Sequence, residues 1–296
     1  MKSGLLERLV CDVCGEKLEA TATPELICQS CGRQVALHPG DGSQQIPIFT
    51  QPPPGLQPST KLARGRDLGT PWRRANWRFL EAEANHLPPQ AALLDVGAGR
   101  GDFAEIFAGK NYFALDLYPY PEVHLVCDLA QSNPLRLASF DAILLMNVLE
   151  HVYDGRSLLG TLARILKPGG VLITAIPFMV KMHQVPVDFA RYTHFALQRM
   201  GEDSGLALEK LEGFYDPISL LGEGIGNLKN SVLPTLRGWR HYTGRALTLG
   251  LETLSSGLRS VLGPGKLQPP AGARSLAPTG YHLVYRKPQT TGGTYE

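Results

Sequence analysis

A glycine-rich loop between carboxylates is the stretch of this sequence that most clearly carries chemistry. The run "LLDVGAGRGDF" covers residues 93–103, and an apolar segment stops in it at Asp95. Its glycines are Gly97, Gly99 and Gly101. A dinucleotide-binding loop has the pattern G-x-G-x-x-G, but Asp102 stands where that pattern has its third glycine. Because a carboxylate repels a pyrophosphate, the loop favours a nucleoside ligand with cationic groups and no phosphate.

Four cysteines near the start form a metal-binding pattern. They are Cys11, Cys14, Cys28 and Cys31, in "CDVCG" and "CQSCG". Gly15 and Gly32 follow the two knuckles, where such a turn needs a positive φ. Two knuckles of this kind make a tetrahedral sulfur cage that suits zinc, and a closed cage predicts a structural metal. Redox-active cysteines are the alternative, although one redox pair needs no second pair.

Composition divides the chain into parts. Residues 1–50 are expected to form the zinc ribbon, because a bound metal supplies folding energy that so short a segment lacks. Residues 51–70 contain "QPPPGLQPST" and predict a stiff Pro-rich linker. The main domain is expected over residues 71–290, followed by a tail at 291–296.

The main domain alternates buried strands with helical segments. Candidate strands are "AALLDV", "YFALDL", "VHLVCDL", "FDAILLMNV" and "VLITAIP", and "DFAEIFAG" and "SLLGTLARIL" indicate helices. Asp154 is placed to begin the second of these helices. The alternation predicts an α/β fold with a mostly parallel sheet and helices on both faces. Ligands of such sheets bind beyond the carboxyl ends of the strands.

The ordered motifs over roughly residues 90–200 resemble the Rossmann-like S-adenosylmethionine-dependent methyltransferases, especially the methyltransferase type 11 group. The motifs are "LLDVGAGRGDF", "ALDL", "CDL", "MNVLEHV" and "LKPGG". The cysteine-rich front, closed by "DG…IPIF", resembles the zinc-ribbon segment that precedes several bacterial methyltransferases. The resemblance implies a seven-stranded sheet and S-adenosylmethionine as cofactor. That molecule has a sulfonium, an ammonium and a nucleoside, which agrees with the acid-flanked loop.

The resemblance also implies residue roles. The loop would pass under the methionine part of the cofactor, through Asp95, Gly97, Gly99 and Gly101. Asp116 would hold the ribose hydroxyls, and it lies 21 residues after Asp95, close to the ~20-residue offset of nucleotide folds. Asp128 would reach the adenine amino group with Leu129 beside the ring, or would simply cap the following turn.

The segment after the fourth strand is implied to line the methyl-donor end of the cofactor. Asn147 is the expected contact, and His151 is either a second contact or an ordinary helix-start histidine. Cys127 reads as a small core residue on its strand.

A polar loop after the fifth strand is the candidate acceptor site. It resembles a "P…H…P-x-D-x-x-R-x-T" pattern in methyltransferases of surface-polysaccharide or lipid-linked sugar pathways. A hydroxyl acceptor must lose a proton, and a histidine titrates near neutrality. We therefore expect His183 to act as base or acceptor-orienting group, with Asp188 and Arg191 as a supporting pair. A salt-bridged structural loop is the alternative.

A long segment separates the last two expected strands, "LALEKLEGFY" and "GYHLVYRKP", and predicts a helical insertion at about 217–278. Apolar residues recur in it at helical spacing: Leu247, Leu251, Leu254, Leu258 and Val261. Between 227 and 266 the basic residues are Lys229, Arg237, Arg240, Arg245, Arg259 and Lys266, against the single acid Glu252. The insertion is either a lid or homodimer face with a solvated basic side, or a peripheral contact with an anionic membrane.

Bulk properties narrow the function. The net charge of +2 gives no global case for nucleic-acid binding. No apolar run approaches the ~18–20 residues that span a bilayer, and no secretory signal is visible, so a cytoplasmic protein is expected, with peripheral contact at the inner membrane surface as an option.

The expected activity is O-methylation of a sugar-containing, lipid-linked or other small-molecule acceptor. One alternative is a zinc-ribbon RNA methyltransferase, against which "MNVLEH" lacks the Asn/Asp-Pro-Pro-aromatic signature of amino-directed enzymes. Another is a non-catalytic subunit that binds the cofactor or a partner.

Overall fold

The structure is a computed structural model that describes residues 1–55, 57–58, 65–262 and 278–289. Its strands are β1 Leu18–Ala20, β2 Glu25–Cys28, β3 Gln34–Pro39, β4 Gln45–Ile48, β5 Ala92–Val96, β6 Asn111–Asp116, β7 Leu125–Val126, β8 Phe140–Met146, β9 Leu166–Pro177, β10 Ala207–Phe214 and β11 Gly280–Arg286. Its α-helices are α1 Pro71–Ala84, α2 Gly155–Ile165, α3 His194–Asp203, α4 Pro217–Asn227 and α5 Trp239–Leu262.

The described strands form one sheet of 11, in the order β1-β2-β3-β4-β7-β6-β5-β8-β9-β11-β10. Strands β7, β6, β5, β8 and β9 run parallel, and β11 and β10 close that side antiparallel. These seven are the sheet that the sequence predicted, and the α/β class is confirmed. The expected total of seven was wrong, because the four ribbon strands extend the same sheet.

Apolar side chains cover both faces of the sheet. Successive residues of a strand point to opposite faces, and Leu93 and Leu94 of β5 accordingly belong to two different core clusters. Helices α2 and α3 supply residues such as Leu162 and Leu197 to one cluster, and α1 supplies Leu80 to the other. All of β5 is buried, as a strand covered on both faces requires.

The helices begin at side-chain caps that the sequence supplies. Thr70 accepts a hydrogen bond from the backbone N–H of Arg73, and Pro71 follows at the first helical position of α1. Asp154 caps α2 as expected, accepting from the N–H of Ser157 at 3.0 Å. The segment "DFAEIFAG" forms only a short 3-10 helix, Ala104–Phe107.

The zinc ribbon is joined to the main sheet and shares its core. Ile48 of β4 pairs in parallel with Val126 of β7, and the N–H of Phe49 donates to Val126 O at 2.9 Å. Leu26 and Phe49 pack in the same cluster as Leu125 and Leu129 of the main domain. The sequence pattern changes at residue 50, but the segments on the two sides of this position share one hydrophobic core.

The last two strands flank a helical insertion, as predicted. After α4 come a π-helical turn at Leu228–Val232, a 3-10 turn at Leu233–Thr235 and then α5. No helix in the described ranges is both long and apolar enough to cross a bilayer. Positions 263–277, which include Lys266, lie outside the described residues, as do 290–296, which include the predicted tail at 291–296, and 56 and 59–64 of the predicted linker.

Helix α5 carries its apolar stripe on the outside. Thr248 and Ser255 are buried, whereas Leu247 is 69% exposed and Leu254 is 57% exposed. Leu251, Leu258 and Val261 are exposed as well. The helical spacing was predicted correctly, but the stripe faces away from the other residues that the structure describes.

Candidate functional site

The glycine loop leaves the carboxyl end of β5 in a conformation that side chains rarely adopt. Gly97, Gly99 and Gly101 have φ of +73°, +55° and +72°. A Cβ on Gly97 would lie 2.4 Å from Cγ2 of Val148, so the backbone there packs against the segment after β8. A Cβ on Gly99 would meet nothing within 4 Å. At Gly99, in the middle of the loop, the backbone therefore faces open space in the direction in which a side chain would point.

Asp116 at the end of β6 holds this loop. One carboxylate oxygen accepts from the N–H of Gly99 at 2.8 Å, and the other accepts from the N–H of Tyr118 at 3.1 Å. Burial raises the pKa of the Asp116 carboxyl. A carboxylate offers about four acceptor positions, and the backbone N–H of Leu117 also acts on this one, so Asp116 keeps capacity for a further hydroxyl donor, such as one of a ribose.

Asp95 lies underneath the loop. It is 2% exposed, and the hydroxyl of Tyr112 donates to its carboxylate at 2.6 Å. Burial raises the pKa of Asp95 to about 7. The sequence offered Asp95 as a cofactor contact, whereas this burial fits a group that positions the strand end. Tyr112, which holds it, carried no signal in the sequence beyond its place in an apolar run.

Asp128 caps the turn after β7, which was the alternative interpretation of this residue. Its carboxylate accepts from the N–H of Ala130 at 3.0 Å and from the side-chain amide of Gln131 at 2.6 Å. Its own N–H donates to Thr50 Oγ1 at 2.8 Å. Leu129 beside it is 4% exposed and packs in the core. The structure places both residues at the carboxyl end of the strand next to β6.

Asn147 follows β8 with a positive φ of 56°. Its Oδ1 accepts from the indole N–H of Trp72 at 2.8 Å, which ties helix α1 to the site. Trp72 also stacks on His282 of β11, with ring centroids 4.8 Å apart. Sequence reasoning missed Trp72, although a tryptophan just after the Thr70–Pro71 helix start could have flagged it.

The expected acceptor-loop residues lie together. Arg191 Nη2 donates to Asp188 Oδ2 at 2.8 Å, and Asp188 Oδ2 also accepts from the N–H of His183 at 2.8 Å. The Arg191 guanidinium holds the pKa of Asp188 well below its usual range. Asp188 and Arg191 thus form an ion pair that fixes the backbone of His183, an arrangement common to a supporting pair for that histidine and to a salt-bridged structural loop.

A buried carboxyl that the sequence did not single out completes this cluster. Glu150, 0% exposed, has Oε1 3.6 Å from Nε2 of His151 and 3.8 Å from Nε2 of His183. Neither Glu150 oxygen accepts a hydrogen bond from another described residue, and His151 Nε2 likewise has no hydrogen bond. Burial raises the pKa of Glu150 to about 8 and lowers the pKa of His151. The signal was a lone acid in the apolar run "NVLEHV".

The four ribbon cysteines converge as a zinc site requires. The Sγ–Sγ distances are 3.5 Å for Cys11–Cys31 and for Cys14–Cys28, and 3.6 Å for Cys14–Cys31. Sulfurs at 2.3 Å from a tetrahedral zinc lie about 3.8 Å apart, so the arrangement fits the ion. Gly15 and Gly32 have φ of +79° and +74°, and their N–H groups close the two knuckles.

A cavity of about 580 Å³ lies elsewhere, at the amino ends of β8 and β9. Asp141, Gly169, Lys210 and Arg286 are among the residues that line it. It is at the opposite end of the parallel strands from the glycine loop, where ligands of this fold do not bind.

Comparison with known families agrees with the fold and the loop. Residues 94–174 match a family model described as "Methyltransferase domain". Residues 94–174 are therefore similar to a methyltransferase domain, and over this segment the resemblance inferred from the motifs is confirmed.

Curated relatives cover part of the chain. Over 121 residues it is 35% identical to a "Ubiquinone biosynthesis O-methyltransferase" of Xanthomonas campestris, which covers 34% of this chain and 47% of that protein. Over 182 residues it is 28% identical to a "2-methyl-6-phytyl-1,4-hydroquinone methyltransferase" of Synechocystis, which covers 56% of each chain. The chain thus spans about half the length of the curated relatives it matches.

Among solved structures, a putative sarcosine dimethylglycine methyltransferase from Galdieria sulphuraria aligns with a TM-score of 0.47 and 17% identity. The alignment covers 72% of this chain and 86% of that one.

Proposed function

We propose that this protein transfers a methyl group from S-adenosylmethionine to an oxygen of a small-molecule acceptor. The observation that carries the proposal is the open backbone at Gly99 directly beside the carboxylate of Asp116. A nucleoside with its ribose on Asp116 would lie at the carboxyl ends of β5 and β6, where ligands of parallel sheets bind. Asp128, Leu129 and Asn147 border the same edge and are the proposed further contacts.

The bound cofactor supplies a methyl group on a sulfonium, an excellent leaving group. The task left to the chain is to align the acceptor for in-line attack and to exclude water. Trp72 and Asn147 are hydrogen-bonded to each other beside the loop and can hold that end of the site rigid. His183, fixed by Asp188 and Arg191, is the proposed group that contacts the acceptor, as base or orienting residue.

The acceptor class rests on two observations. The matched curated relatives are named for O-methylation in ubiquinone biosynthesis and for methylation of a hydroquinone. The loop pattern around His183 resembles enzymes of lipid-linked sugar pathways. The O-methylation in the first name and the loop pattern favour a hydroxyl on a small molecule, and either a quinol or a sugar attached to a lipid satisfies them.

Two measurements test the activity. Calorimetry with S-adenosylmethionine should show one binding event, which Asp116→Ala abolishes and which the exposed control Asp67→Ala leaves unchanged. Radiolabelled methyl transfer into lipid, polysaccharide, RNA and small-molecule fractions of the source cell then identifies the acceptor. Label in RNA alone would favour the zinc-ribbon RNA methyltransferase instead, and no heat with the cofactor would favour a partner-binding subunit.

We also propose that the insertion contacts an anionic membrane surface. Exposed apolar residues of α5, among them Trp239 and Leu247, lie on the same helix as Arg240 and Arg245, and Arg237 precedes it. Of the four basic residues whose side chains the structure describes, Lys229, Arg237, Arg240 and Arg245, Lys229 has a carboxylate partner, Glu252 at 2.9 Å. Apolar side chains interleaved with basic ones are typical of interfacial helices.

Vesicle co-sedimentation at low salt tests this contact. The protein should co-sediment with vesicles that contain anionic phospholipid and should stay in the supernatant with neutral ones. The triple variant Arg237→Glu, Arg240→Glu, Arg245→Glu should lose the binding, because each basic residue contributes about 1 kcal/mol to the binding free energy. Arg164→Glu, an exposed arginine on α2, is the control. A dimer by ultracentrifugation that binds no vesicles would instead assign the stripe to a second copy of the chain.

A further inference from the structure

Three acceptor atoms converge beside the proposed methyl-acceptor position: a carboxylate oxygen of Glu150 and Nε2 of His151 and of His183. Each of the three residues offers one ligand atom, and these atoms lie within 4.8 Å of one another. Glu150 and His151 come from the segment after β8 and His183 from the loop after β9, so the fold brings together two segments that are 32 residues apart in the sequence.

The hydrogen bond of His151 leaves the lone pair of its Nε2 facing Glu150. His151 Nδ1 lies 2.7 Å from the carbonyl oxygen of Val187, which can only accept, so Nδ1 carries the proton. His183 Nδ1 lies 3.3 Å from Lys181 O and 3.4 Å from Asp188 Oδ2, which accept, and 3.5 Å from Arg191 Nη2, which donates, so both tautomers of His183 fit its surroundings. Nε2 of His151 is then unprotonated and able to ligate a metal, as in histidines whose other nitrogen donates to an oxygen, and a metal on Nε2 of His183 would select the tautomer protonated at Nδ1.

The carboxylate at the centre of this group is completely buried. Glu150 is 0% exposed and its oxygens accept no hydrogen bond from another described residue. A buried carboxyl without hydrogen-bond partners is costly, and a cation that displaces its proton would supply the missing partner. The loop holds Glu150 in place, because the N–H groups of Phe189 and Ala190 donate to its backbone carbonyl at 2.8 and 3.2 Å.

We propose that Glu150, His151 and His183 bind one divalent first-row metal ion, which holds the oxygen of the methyl acceptor. This inference rests on the proposed function and names how its acceptor hydroxyl is activated. Two ligands at about 2.1 Å from one ion can lie up to about 4.2 Å apart, so the 3.6 and 3.8 Å separations around Glu150 Oε1 are within reach of a single ion. Imidazole and carboxylate ligands suit zinc, iron or manganese.

Three protein ligands leave coordination positions open for a substrate. An acceptor hydroxyl bound there gives its proton to solvent, because the ion stabilises the oxyanion. The oxygen lone pair then forms the O–C bond while the C–S bond of the cofactor breaks, and the sulfur leaves with the bonding pair as a neutral thioether. His183 in this arrangement orients the acceptor through the ion.

Cobalt titration of the full chain tests the site without any cofactor or acceptor. Zinc content is measured before and after the titration, so that exchange at the four cysteines is counted separately. We expect one equivalent of Co²⁺ beyond the zinc. Glu150→Gln and His183→Ala should each weaken that binding at least tenfold, and the exposed control His86→Ala should not.

Side chain exposure of 34% makes His183→Ala the safer variant for folding. Absence of the additional equivalent in the wild-type chain, or unchanged Co²⁺ binding in both variants, would overturn the inference. Calorimetry with S-adenosylmethionine on the same samples separates the two proposals, because a chain that binds the cofactor but no Co²⁺ contradicts only the metal site.

Discussion

Thr50 Oγ1 accepts the backbone N–H of Asp128 at 2.8 Å, and this bond joins the end of the zinc ribbon to the proposed adenine side of the cofactor site. The ribbon holds Thr50 through its neighbour, since Arg33 donates to the carbonyl oxygen of Phe49 at 3.3 Å. Arg33 also forms a bidentate pair with Asp12, within the first cysteine knuckle. The cysteine cage is therefore connected by hydrogen bonds to the segment after β7, on the proposed cofactor side of the sheet.

The first prediction concerns this bond. Thr50→Val keeps the size of the side chain but cannot accept the N–H of Asp128. Because one hydrogen bond contributes about 0.5–1.5 kcal/mol, we expect the Kd for S-adenosylmethionine to rise roughly three- to tenfold in calorimetry. Thr253→Val, an exposed threonine on α5, is the matched control. Equal cofactor affinity in Thr50→Val and wild type would show that the ribbon does not shape the cofactor site.

The second prediction is that zinc loss destabilises the whole molecule. Cys31→Ser removes a zinc ligand, and a structural zinc is worth several kcal/mol to a small fold. At roughly 2–4 °C per kcal/mol, we expect Tm to fall by about 10 °C in one cooperative transition, because the ribbon shares the core of the main domain. Ser30→Ala lies in the same knuckle without being a ligand and should melt like wild type. Two separate transitions, with the larger one unmoved, would contradict a shared core.

The third prediction separates two glycines of the loop. Gly97→Ala adds a Cβ 2.4 Å from Val148, so it should lower both Tm and cofactor affinity. Gly99→Ala meets no protein atom within 4 Å and should cost only about 1–2 kcal/mol for its left-handed backbone. Its effect on cofactor affinity should nevertheless be large, at least tenfold, because the methyl group enters the space proposed for the ligand.

Gly109→Ala is the control for backbone strain. Its φ is +87°, and a Cβ there also meets nothing within 4 Å, but it lies after the 3-10 helix and away from the loop. It should lower Tm about as much as Gly99→Ala while leaving the calorimetric Kd unchanged. Wild-type cofactor affinity in Gly99→Ala would remove the proposed ligand position.

Local sequence patterns predicted the parts of this molecule that are set by short-range chemistry. The cysteine spacing predicted the cage, and the apolar runs predicted the parallel strands, because burial on both faces leaves continuous apolar segments. The spacing of Leu247 and Leu254 predicted a helix in the same way, but which face is covered depends on packing partners, and here the leucines are exposed.

Contacts between distant segments could not be read from the sequence. The addition of β4 beside β7 joins residues 78 positions apart, and no local pattern specifies such a pairing. Glu150 was overlooked because its importance comes from the two imidazoles around it, one of which lies in a loop 33 residues later. Asp95 was assigned to the ligand from its motif, whereas its depth beneath the loop became visible only with Tyr112 in place.

The last prediction is a pH dependence of stability caused by Asp95. Burial raises its pKa from the usual 3.8 to about 7, so the folded chain keeps this proton at pH values where the unfolded chain has lost it. The stabilising contribution is complete below about pH 4 and is lost as pH rises to about 7. At about 1.4 kcal/mol per pKa unit, the contribution of Asp95 should lower the free energy of unfolding by roughly 2–3 kcal/mol between pH 5 and 8.

The variant Asp95→Asn tests this dependence, because its side chain still accepts from Tyr112 but has no proton to lose. In urea unfolding at a series of pH values, this part of the slope of unfolding free energy against pH should be absent from Asp95→Asn, whereas the exposed control Asp67→Asn should keep it. An unchanged slope in Asp95→Asn would mean that Asp95 is ionised in the folded protein throughout this range.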